Sequence, residues 1–229
     1  MLPDKKRKKE TNPKNLTVLL YGKSKVGKTT FVSGLFNGDV LFLDTERGTK
    51  NLDVYCTDIT SWTSFVDAVK ELKKGDHSFE CVAVDTIDEL REKCIEHVCQ
   101  QMRIPDRTHP KFIANYGRGY ALVNQYFSDA IKLLLSCPIG VVFISHEKEE
   151  KQTLEGKPIK MGEQVDGPMI AKIVPSLADK QRLMVSAACD LILRAGVENG
   201  QRVMRAQPSQ AIEAGDRTAV LPPVFELNS

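Results

Sequence analysis

Four mainly apolar runs are spaced along the first two thirds of the chain, at residues 16–21, 40–44, 79–85 and 139–145. They contain stretches such as Cys81-Val-Ala-Val, in which apolar residues follow one another directly instead of alternating with polar ones. Strands that are buried on both faces have this pattern, which is typical of a parallel sheet covered by helices. The pattern therefore predicts an α/β fold with a mostly parallel sheet.

Helical segments are predicted between these runs. We expect helices over 28–36, between Ser61 and Gly75, over 87–101 and over 118–136. Ser61 is a suitable N-cap and Gly75 a suitable C-cap, which favours a helix between them. Charges, prolines or glycines dominate 102–116 and 147–167, so the first is predicted as a loop and the second as a mobile loop. Residues 168–181 have helical character that Pro175 interrupts.

The C-terminal third ends in a predicted β-hairpin. Residues 190–195 and 202–207 would form its strands, joined across Glu198-Asn199-Gly200, and the chain from Pro208 onward is expected to be irregular. We find no internal repeat and no clear second domain. The predicted division is a basic flexible arm over 1–15, one domain over 16–207 and an irregular tail over 208–229.

Composition places the chain among globular proteins. It has 229 residues, of which 41% are hydrophobic and 27% charged, enough for a sheet between two helix layers. We expect no membrane span and no signal peptide. Its six cysteines include no C-x-x-C pair, which indicates a reducing, cytoplasmic setting without a zinc ribbon.

The net charge of +2 is unevenly distributed. Residues 1–14 contain six basic and two acidic side chains. A basic arm on a nearly neutral body is typical of a nucleic-acid tether. A disordered solubilising tail or an artificial extension has the same composition, so both interpretations stay open.

A phosphate-binding motif follows the first apolar run. Residues 22–29 read G-x-x-x-x-G-K-T, between a predicted strand and a predicted helix. Lys28 would bridge the β- and γ-phosphates of a nucleoside triphosphate, and the Thr29 hydroxyl would ligate Mg²⁺. A glycine-rich surface turn is the weaker alternative. The residues expected to surround the phosphates are Gly22, Lys23, Ser24, Lys25, Val26, Gly27, Lys28, Thr29 and Thr30.

Polar residues end three of the predicted strands. Because ligands bind at the carboxyl ends of parallel strands, these residues are candidates for the same site. Asp85 would hold Mg²⁺, although it could instead cap the following helix. Glu46 would orient the attacking water, unless the segment is a solvated turn. His146 would contact the γ-phosphate, although a lone histidine more often has a structural role.

The order of these motifs resembles that of the RecA-like recombinase core. The resembling segments are the phosphate-binding loop, Phe42-Leu43-Asp44-Thr45-Glu46, Val82-Ala83-Val84-Asp85-Thr86 and Phe143-Ile144-Ser145-His146. More narrowly, the chain looks like the small phage-encoded RecA-like ATPases that act as single-strand annealing proteins. The resemblance implies a RecA-like P-loop NTPase core over 16–207, with the fourth predicted strand between those of Lys28 and Asp85. It also assigns Glu46, Lys28 and His146 to catalysis, with His146 where RecA has Gln.

The resemblance further implies that two loops hold DNA. Their cationic candidates are Arg103, Arg107, Lys111 and Arg118 in the first loop, and Lys148, Lys151, Lys157 and Lys160 in the second. Phe112 or Tyr116 could stack on a base. The second loop also contains five glutamates, so its net field is weak. Arg205 or Arg217 would complete the site of a neighbouring subunit, with a surface arginine as the alternative.

The sequence therefore predicts a Mg²⁺-ATP-dependent single-stranded DNA-binding protein that promotes annealing or strand exchange in phage homologous recombination. The implied partners are single-stranded DNA, further copies in a homo-oligomer or filament, and a single-strand-binding protein, in the host cytoplasm and without a membrane. The competing hypothesis is a P-loop ATPase that acts as a regulatory or assembly switch without nucleic acid. A GTPase is disfavoured because the chain has no N-K-x-D motif.

Overall fold

The computed structural model describes residues 4–6, 8–35, 39–159, 163 and 167–227, with the side chains of residues 13, 115 and 116 excepted. The strands are β1 (Thr17–Gly22), β2 (Val40–Asp44), β3 (Tyr55–Asp58), β4 (Cys81–Asp85), β5 (Gly140–Ser145), β6 (Glu147–Thr153), β7 (Met169–Pro175), β8 (Leu191–Glu198), β9 (Gln201–Arg205), β10 (Gly215–Asp216) and β11 (Val224–Glu226). The helices are α1 (Lys28–Gly34), α2 (Trp62–Lys74), α3 (Ile87–Met102), α4 (Pro110–Leu135) and α5 (Asp179–Ala188).

Nine strands form one sheet in the order β11-β9-β8-β1-β5-β4-β2-β3, with β10 paired to β8. All neighbours from β8 to β3 in this order are parallel, whereas β9, β10 and β11 are added in antiparallel orientation. Strand β5 lies between β1 and β4, as the resemblance implied. The predicted α/β fold with a mostly parallel sheet and a C-terminal hairpin is confirmed.

The sheet is buried on both faces, which explains why its strands are continuously apolar. Leu19 and Val82 belong to a core on one face, together with residues of α2, α3 and α4. Leu20 and Ala83 belong to a second core on the other face, which includes residues of α1, β9 and the C-terminal segment. Successive side chains of a strand point to opposite faces of the sheet. Because both faces are buried here, the side chains on both must be apolar.

The caps of α2 are those expected from the sequence. The Ser61 hydroxyl accepts a hydrogen bond from the Ser64 amide, and the Ser64 hydroxyl accepts one from the Ser61 amide, a reciprocal capping box. Gly75 ends the helix with φ 80°, in the left-handed region that glycine adopts without steric cost. Among the described residues, no helix is both long and apolar enough to span a bilayer.

The segment after β5 differs from its prediction. Residues 147–167 were expected to be a mobile loop, but β6 and β7 form an antiparallel hairpin from Glu147↔Pro175 to Thr153↔Met169. The expected helical character of 168–181 is also wrong over β7, and the helix starts only at Asp179. Lys160 and five other residues of the connection between the two strands, 161, 162 and 164–166, lie outside the described residues.

Three smaller differences concern element boundaries. Helix α4 begins at Pro110, so the loop predicted over 102–116 is shorter than expected. Strand β3 was missed, and all four of its residues are exposed at the sheet edge. The tail predicted to be irregular contains β10 and β11, which pair with β8 and β9. The division into arm, domain and tail stays a prediction.

Candidate nucleotide-binding site

The phosphate-binding motif forms the connection between β1 and α1. Gly27 occupies the N-cap of α1 with φ 102°, a conformation that L side chains rarely adopt. The Lys28 side chain is buried, and its Nζ donates hydrogen bonds to the carbonyl oxygens of Gly22 (2.8 Å) and Lys23 (2.9 Å). Burial lowers the pKa of Lys28, while the Asp85 carboxylate opposes this effect. The loop therefore holds the Lys28 ammonium at its centre.

Thr29 and Asp85 meet at the ends of α1 and β4. The Thr29 hydroxyl donates a hydrogen bond of 2.7 Å to Oδ2 of Asp85. A hydroxyl beside one carboxylate fits Mg²⁺, which takes oxygen ligands and usually keeps waters and substrate phosphates in its shell. No group of three or more His, Cys, Asp or Glu side chains suited to a metal occurs among the described residues. Thr29 and Asp85 could therefore hold Mg²⁺ only together with phosphate and water.

Asp85 is 4% exposed, and burial raises the pKa of its carboxyl from 3.8 to about 6. Relative to the unfolded chain, the fold therefore favours the protonated Asp85 carboxyl, and the folded state loses stability as the pH rises from about 4 to about 6. Such a pKa difference corresponds to about 2–3 kcal/mol. We expect Asp85→Asn to unfold at higher urea concentration than the wild type at pH 8, and the difference to shrink towards pH 4. A wild type at least as stable as the variant at pH 8 would contradict this.

Glu46 and His146 form a pair across the site. The Glu46 carboxylate accepts a hydrogen bond of 2.8 Å from the Thr86 hydroxyl and lies 3.4 Å from Nε2 of His146. The contact with His146 lowers the pKa of Glu46, and the same contact raises the pKa of His146. The Glu46 carboxylate is thus oriented by two neighbours and stays ionised at neutral pH.

The loop after β2 is held by Asp44, for which no separate role was predicted. The Asp44 carboxylate accepts hydrogen bonds from the amides of Glu46, Gly48 and Thr49 and from the Thr49 hydroxyl. Burial alone would raise the pKa of Asp44, but these hydrogen bonds hold it below its ordinary value. Asp44 therefore fixes the backbone that carries Glu46. An Asp followed by polar turn residues is the local signal that could have indicated this.

Asp88 holds the backbone at His146, as Asp44 does for Glu46, and it too was not predicted. Its carboxylate accepts hydrogen bonds from the Ser145 hydroxyl (2.8 Å) and the His146 amide (2.6 Å). Asp88 lies in the first turn of α3, so it joins this helix to the end of β5. Burial raises the pKa of Asp88, and the bonds from His146 and Ser145 oppose that effect.

These groups surround a cavity of about 490 Å³. Its lining includes Lys28, Glu46, Asp85 and His146, so the structure brings together the main residues predicted from the strand ends. Arg202 of β9, which was not among the predicted site residues, lines the same cavity. Of the predicted phosphate-binding residues, the lining includes Ser24, Lys25, Gly27, Lys28, Thr29 and Thr30, whereas Lys23 lines a neighbouring cavity and Val26 is buried.

The neighbouring cavity, of about 510 Å³, lies against the base of the β6–β7 hairpin. Ser24 and His146 belong to the linings of both cavities. The second cavity also contains Arg194 and Glu147, which form an ion pair of 3.1 Å. The two cavities are therefore adjacent, with the His146 side chain at their boundary.

The DNA-binding candidates after β4 are dispersed. Arg103 ends α3 at the opposite end from Asp88, and Arg107 is paired with Glu92 at 2.8 Å. Lys111 and Arg118 are exposed on α4. Phe112 is fully buried, so its predicted stacking on a base is wrong, because its ring already packs in the core. The side chain of the other stacking candidate, Tyr116, lies outside the described residues.

The candidates in the hairpin and the C-terminal region differ in their partners. Lys148 is paired with Glu150 at 2.9 Å, whereas Lys151 is exposed. Arg205 forms two hydrogen bonds with Glu198, and Arg217 donates one to the Ala187 carbonyl oxygen. Both candidates for a residue acting on a neighbouring subunit therefore have contacts within their own chain.

Three comparisons with known proteins were made, and one of them shows the family of this chain. A search of curated proteins gave no significant match. Among solved structures, the chain is similar to one described as "Crystal structure of the RadB recombinase", with 18% identity, a TM-score of 0.46 and coverage of 84% of this chain and 80% of that one. A family model described as an AAA domain matches residues 14–218. The match spans the phosphate-binding loop and every strand of the sheet except β11, so the chain belongs to this family of AAA-domain P-loop proteins.

Proposed function

We propose that the protein is a Mg²⁺-ATP-dependent single-stranded DNA-binding protein that promotes annealing or strand exchange in homologous recombination, in a phage context. ATP binding would favour a DNA-binding homo-oligomer or filament, and hydrolysis would release the DNA. The observation that carries the proposal is the position of His146, which lines the nucleotide cavity and directly precedes the β6–β7 hairpin.

The residues around the cavity support ATP hydrolysis. Lys28 would neutralise the β- and γ-phosphates, and Thr29 and Asp85 would hold the cation. Bound Mg²⁺ supplies positive charge that offsets the charge developing on the phosphate chain. Glu46 is ionised and oriented, so it could accept a hydrogen bond from the attacking water and align it for attack. His146 lies beside Glu46, where its imidazole could respond to the γ-phosphate.

The covalent path from the site to the hairpin supports coupling to DNA. His146 follows β5 and immediately precedes Glu147, the first residue of β6. A displacement of the His146 backbone would therefore move the base of the hairpin. Asp88 binds the His146 amide, so this contact is the point at which such a movement would begin.

The hairpin offers a mixed basic and apolar surface near its tip. Lys151 and Lys157 are exposed, as are the apolar side chains of Leu154 and Met169. Neither lysine has an ion-pair partner among the described residues. Cations neutralise backbone phosphates, and apolar side chains can pack against unstacked bases. We propose this surface, with Lys111 and Arg118 on α4, as the path of single-stranded DNA.

One observation favours the competing function, an ATPase switch without nucleic acid. Cations at the hairpin base are engaged within the chain, since Glu150 binds both Lys148 and Arg182 and Glu147 binds Arg194. Within the described part of the hairpin, Lys151, Lys157 and Lys172 have no ion-pair partner, but the glutamates of β6 offset their charge, so the hairpin is not strongly basic overall. A partner of a different kind would suit such a surface.

We expect Lys28→Ala to abolish ATP-dependent binding of single-stranded DNA. Without the Lys28 ammonium, the phosphates lose their central cation, so the ATP state that favours DNA binding does not form. Fluorescence anisotropy of a labelled oligonucleotide, titrated with protein in the presence of ATP and Mg²⁺, measures this directly. The wild-type affinity should also fall steeply as salt rises, because binding a polyanion releases counterions.

Lys180→Ala is the matched control, because it removes an exposed lysine on α5 that does not line the cavity. It should bind DNA as the wild type does. DNA binding by Lys28→Ala that equals the wild type, with or without nucleotide, would contradict the coupling. Absence of DNA binding by the wild type at low salt would favour the switch instead.

A further inference from the structure

Arg202 lies beside the phosphate-binding loop and is exposed to solvent. A Cβ atom placed on Gly27 would lie 3.4 Å from Nη1 of Arg202 and 3.6 Å from Cδ2 of Leu227. The guanidinium thus packs over the second glycine of the loop and lines the nucleotide cavity. Within the described part of the chain, it has neither a hydrogen-bond acceptor nor an ion-pair partner.

The other arginines of the β8–β9 hairpin are paired. Arg194 forms an ion pair with Glu147, and Arg205 forms two hydrogen bonds with Glu198. A guanidinium carries five donors in a planar fork that suits phosphate or carboxylate oxygens. Arg202 therefore presents this fork to the cavity, where an anionic ligand would satisfy it.

The sheet order shows which side of the cavity Arg202 occupies. The β8–β9 hairpin adjoins one edge of β1, whereas β5, β4 and β2 follow beyond its other edge. Glu46, Asp85 and His146 come from the ends of the latter strands. Arg202 thus faces the loop from the side opposite the proposed water-activating and cation-binding residues.

We propose that Arg202 binds the phosphate chain of the nucleotide in its own subunit, on the side nearer the nucleoside than the γ-phosphate. This inference rests on the proposed nucleotide binding but requires neither DNA nor hydrolysis. The contact adds a second fixed cation to Lys28. It also brings the C-terminal hairpin into the nucleotide site.

Nucleotide binding at Arg202 would also affect Leu227, at the end of the described chain. Strand β11 pairs with β9, and the Leu227 amide donates a hydrogen bond to the Arg202 carbonyl oxygen. A nucleotide held by the Arg202 side chain would therefore tether β9 and β11 to the phosphate-binding loop. Amide hydrogen exchange in this segment should slow when ADP binds.

The test is calorimetric titration of the full chain with ADP and Mg²⁺. We expect Arg202→Ala to raise the Kd for ADP about 10-fold, the effect of losing one charge-assisted contact at an accessible site. GDP should show the same ratio, because the contact is with phosphate. Arg202→Lys keeps a cation, so its Kd for ADP should lie between those of the wild type and Arg202→Ala. The Kd of Lys180→Ala should equal that of the wild type.

Melting of the nucleotide-free variants provides a second measurement. The Arg202 side chain has no hydrogen-bond or ion-pair partner within the described chain, so Arg202→Ala should melt within about 1 °C of the wild type. Addition of ADP should raise the Tm of this variant less than that of the wild type. Equal ADP affinities for wild type and Arg202→Ala would overturn the proposal. If DNA does not change the rate of ATP hydrolysis but Arg202→Ala still raises the Kd for ADP, the proposed DNA function is contradicted and the role of Arg202 is supported.

Discussion

Replacing Glu46 with Gln is expected to lower kcat for ATP hydrolysis by about 10²–10³-fold, within the range for loss of a general base. The Glu46 carboxylate lines the cavity, is oriented by Thr86 and His146, and has a lowered pKa. Glutamine keeps the size and the hydrogen bond from Thr86 but removes the charge that aligns a water molecule. Phosphate release at saturating ATP measures the effect.

The Kd for ADP provides the internal control for this variant. It should stay within about 3-fold of the wild type, because Glu46 is not expected to hold the phosphates. Glu149→Gln is the matched substitution, since Glu149 is exposed on β6 and lines only the neighbouring cavity. If Glu46→Gln hydrolysed ATP as fast as Glu149→Gln, Glu46 would not be the water-activating residue.

Replacing Gly22 with Ala is expected to cost at least 3 kcal/mol of stability, at the upper end for overpacking. A Cβ atom on Gly22 would lie 2.3 Å from the Ala195 carbonyl oxygen. Gly22 pairs with Ala195 between β1 and β8, so the obstacle is backbone of the same sheet and cannot rotate away. Relief requires β1 and β8 to separate beside the phosphate-binding loop. Urea denaturation monitored by circular dichroism measures the loss.

Gly34→Ala is the matched control for this substitution. A Cβ atom on Gly34 meets no heavy atom within 4 Å, and Gly34 lies in the last turn of α1. Alanine is the better helix former, so the variant should be as stable as the wild type or up to about 1 kcal/mol more stable. Equal stabilities for Gly22→Ala and Gly34→Ala would contradict the close approach of β8 to the loop.

Much of the sheet was predictable because its signals are local. The bounds of β2 agree with the predicted 40–44, and Ser61 and Gly75 cap α2 as expected. Strands buried on both faces and helix caps can be recognised from residues that are consecutive in the sequence. The same holds for the phosphate-binding loop, which needs a strand, two glycines and a helix in immediate succession.

The β6–β7 hairpin was not predictable in this way. Strand β6 reads Glu-Lys-Glu-Glu-Lys-Gln-Thr, a composition depleted in strand-forming residues, and its pairing partner begins more than a dozen residues later. The start of α4 was missed for a related reason. Pro110 was interpreted as a loop signal, but proline is favoured in the first turn of a helix, where its missing N–H is not needed.

The supporting residues of the site depend on contacts between distant segments. Asp88 meets His146 across 58 positions of sequence, and Arg202 reaches Gly27 because β8 and β9 are added beside β1. No local pattern marks either residue. The order of the motifs predicted which strand ends converge, whereas the identity of the groups that hold them required the folded chain.

The proposed coupling of ATP hydrolysis to single-stranded DNA can be measured as steady-state hydrolysis with and without an oligonucleotide. Wild type and Glu46→Gln should be compared at several salt concentrations. We expect DNA to stimulate wild-type hydrolysis, the stimulation to fade as salt rises, and Glu46→Gln to show no stimulation. If the rate of wild-type hydrolysis is the same with and without DNA at every salt concentration, the coupling is absent and a switch that handles no nucleic acid is favoured.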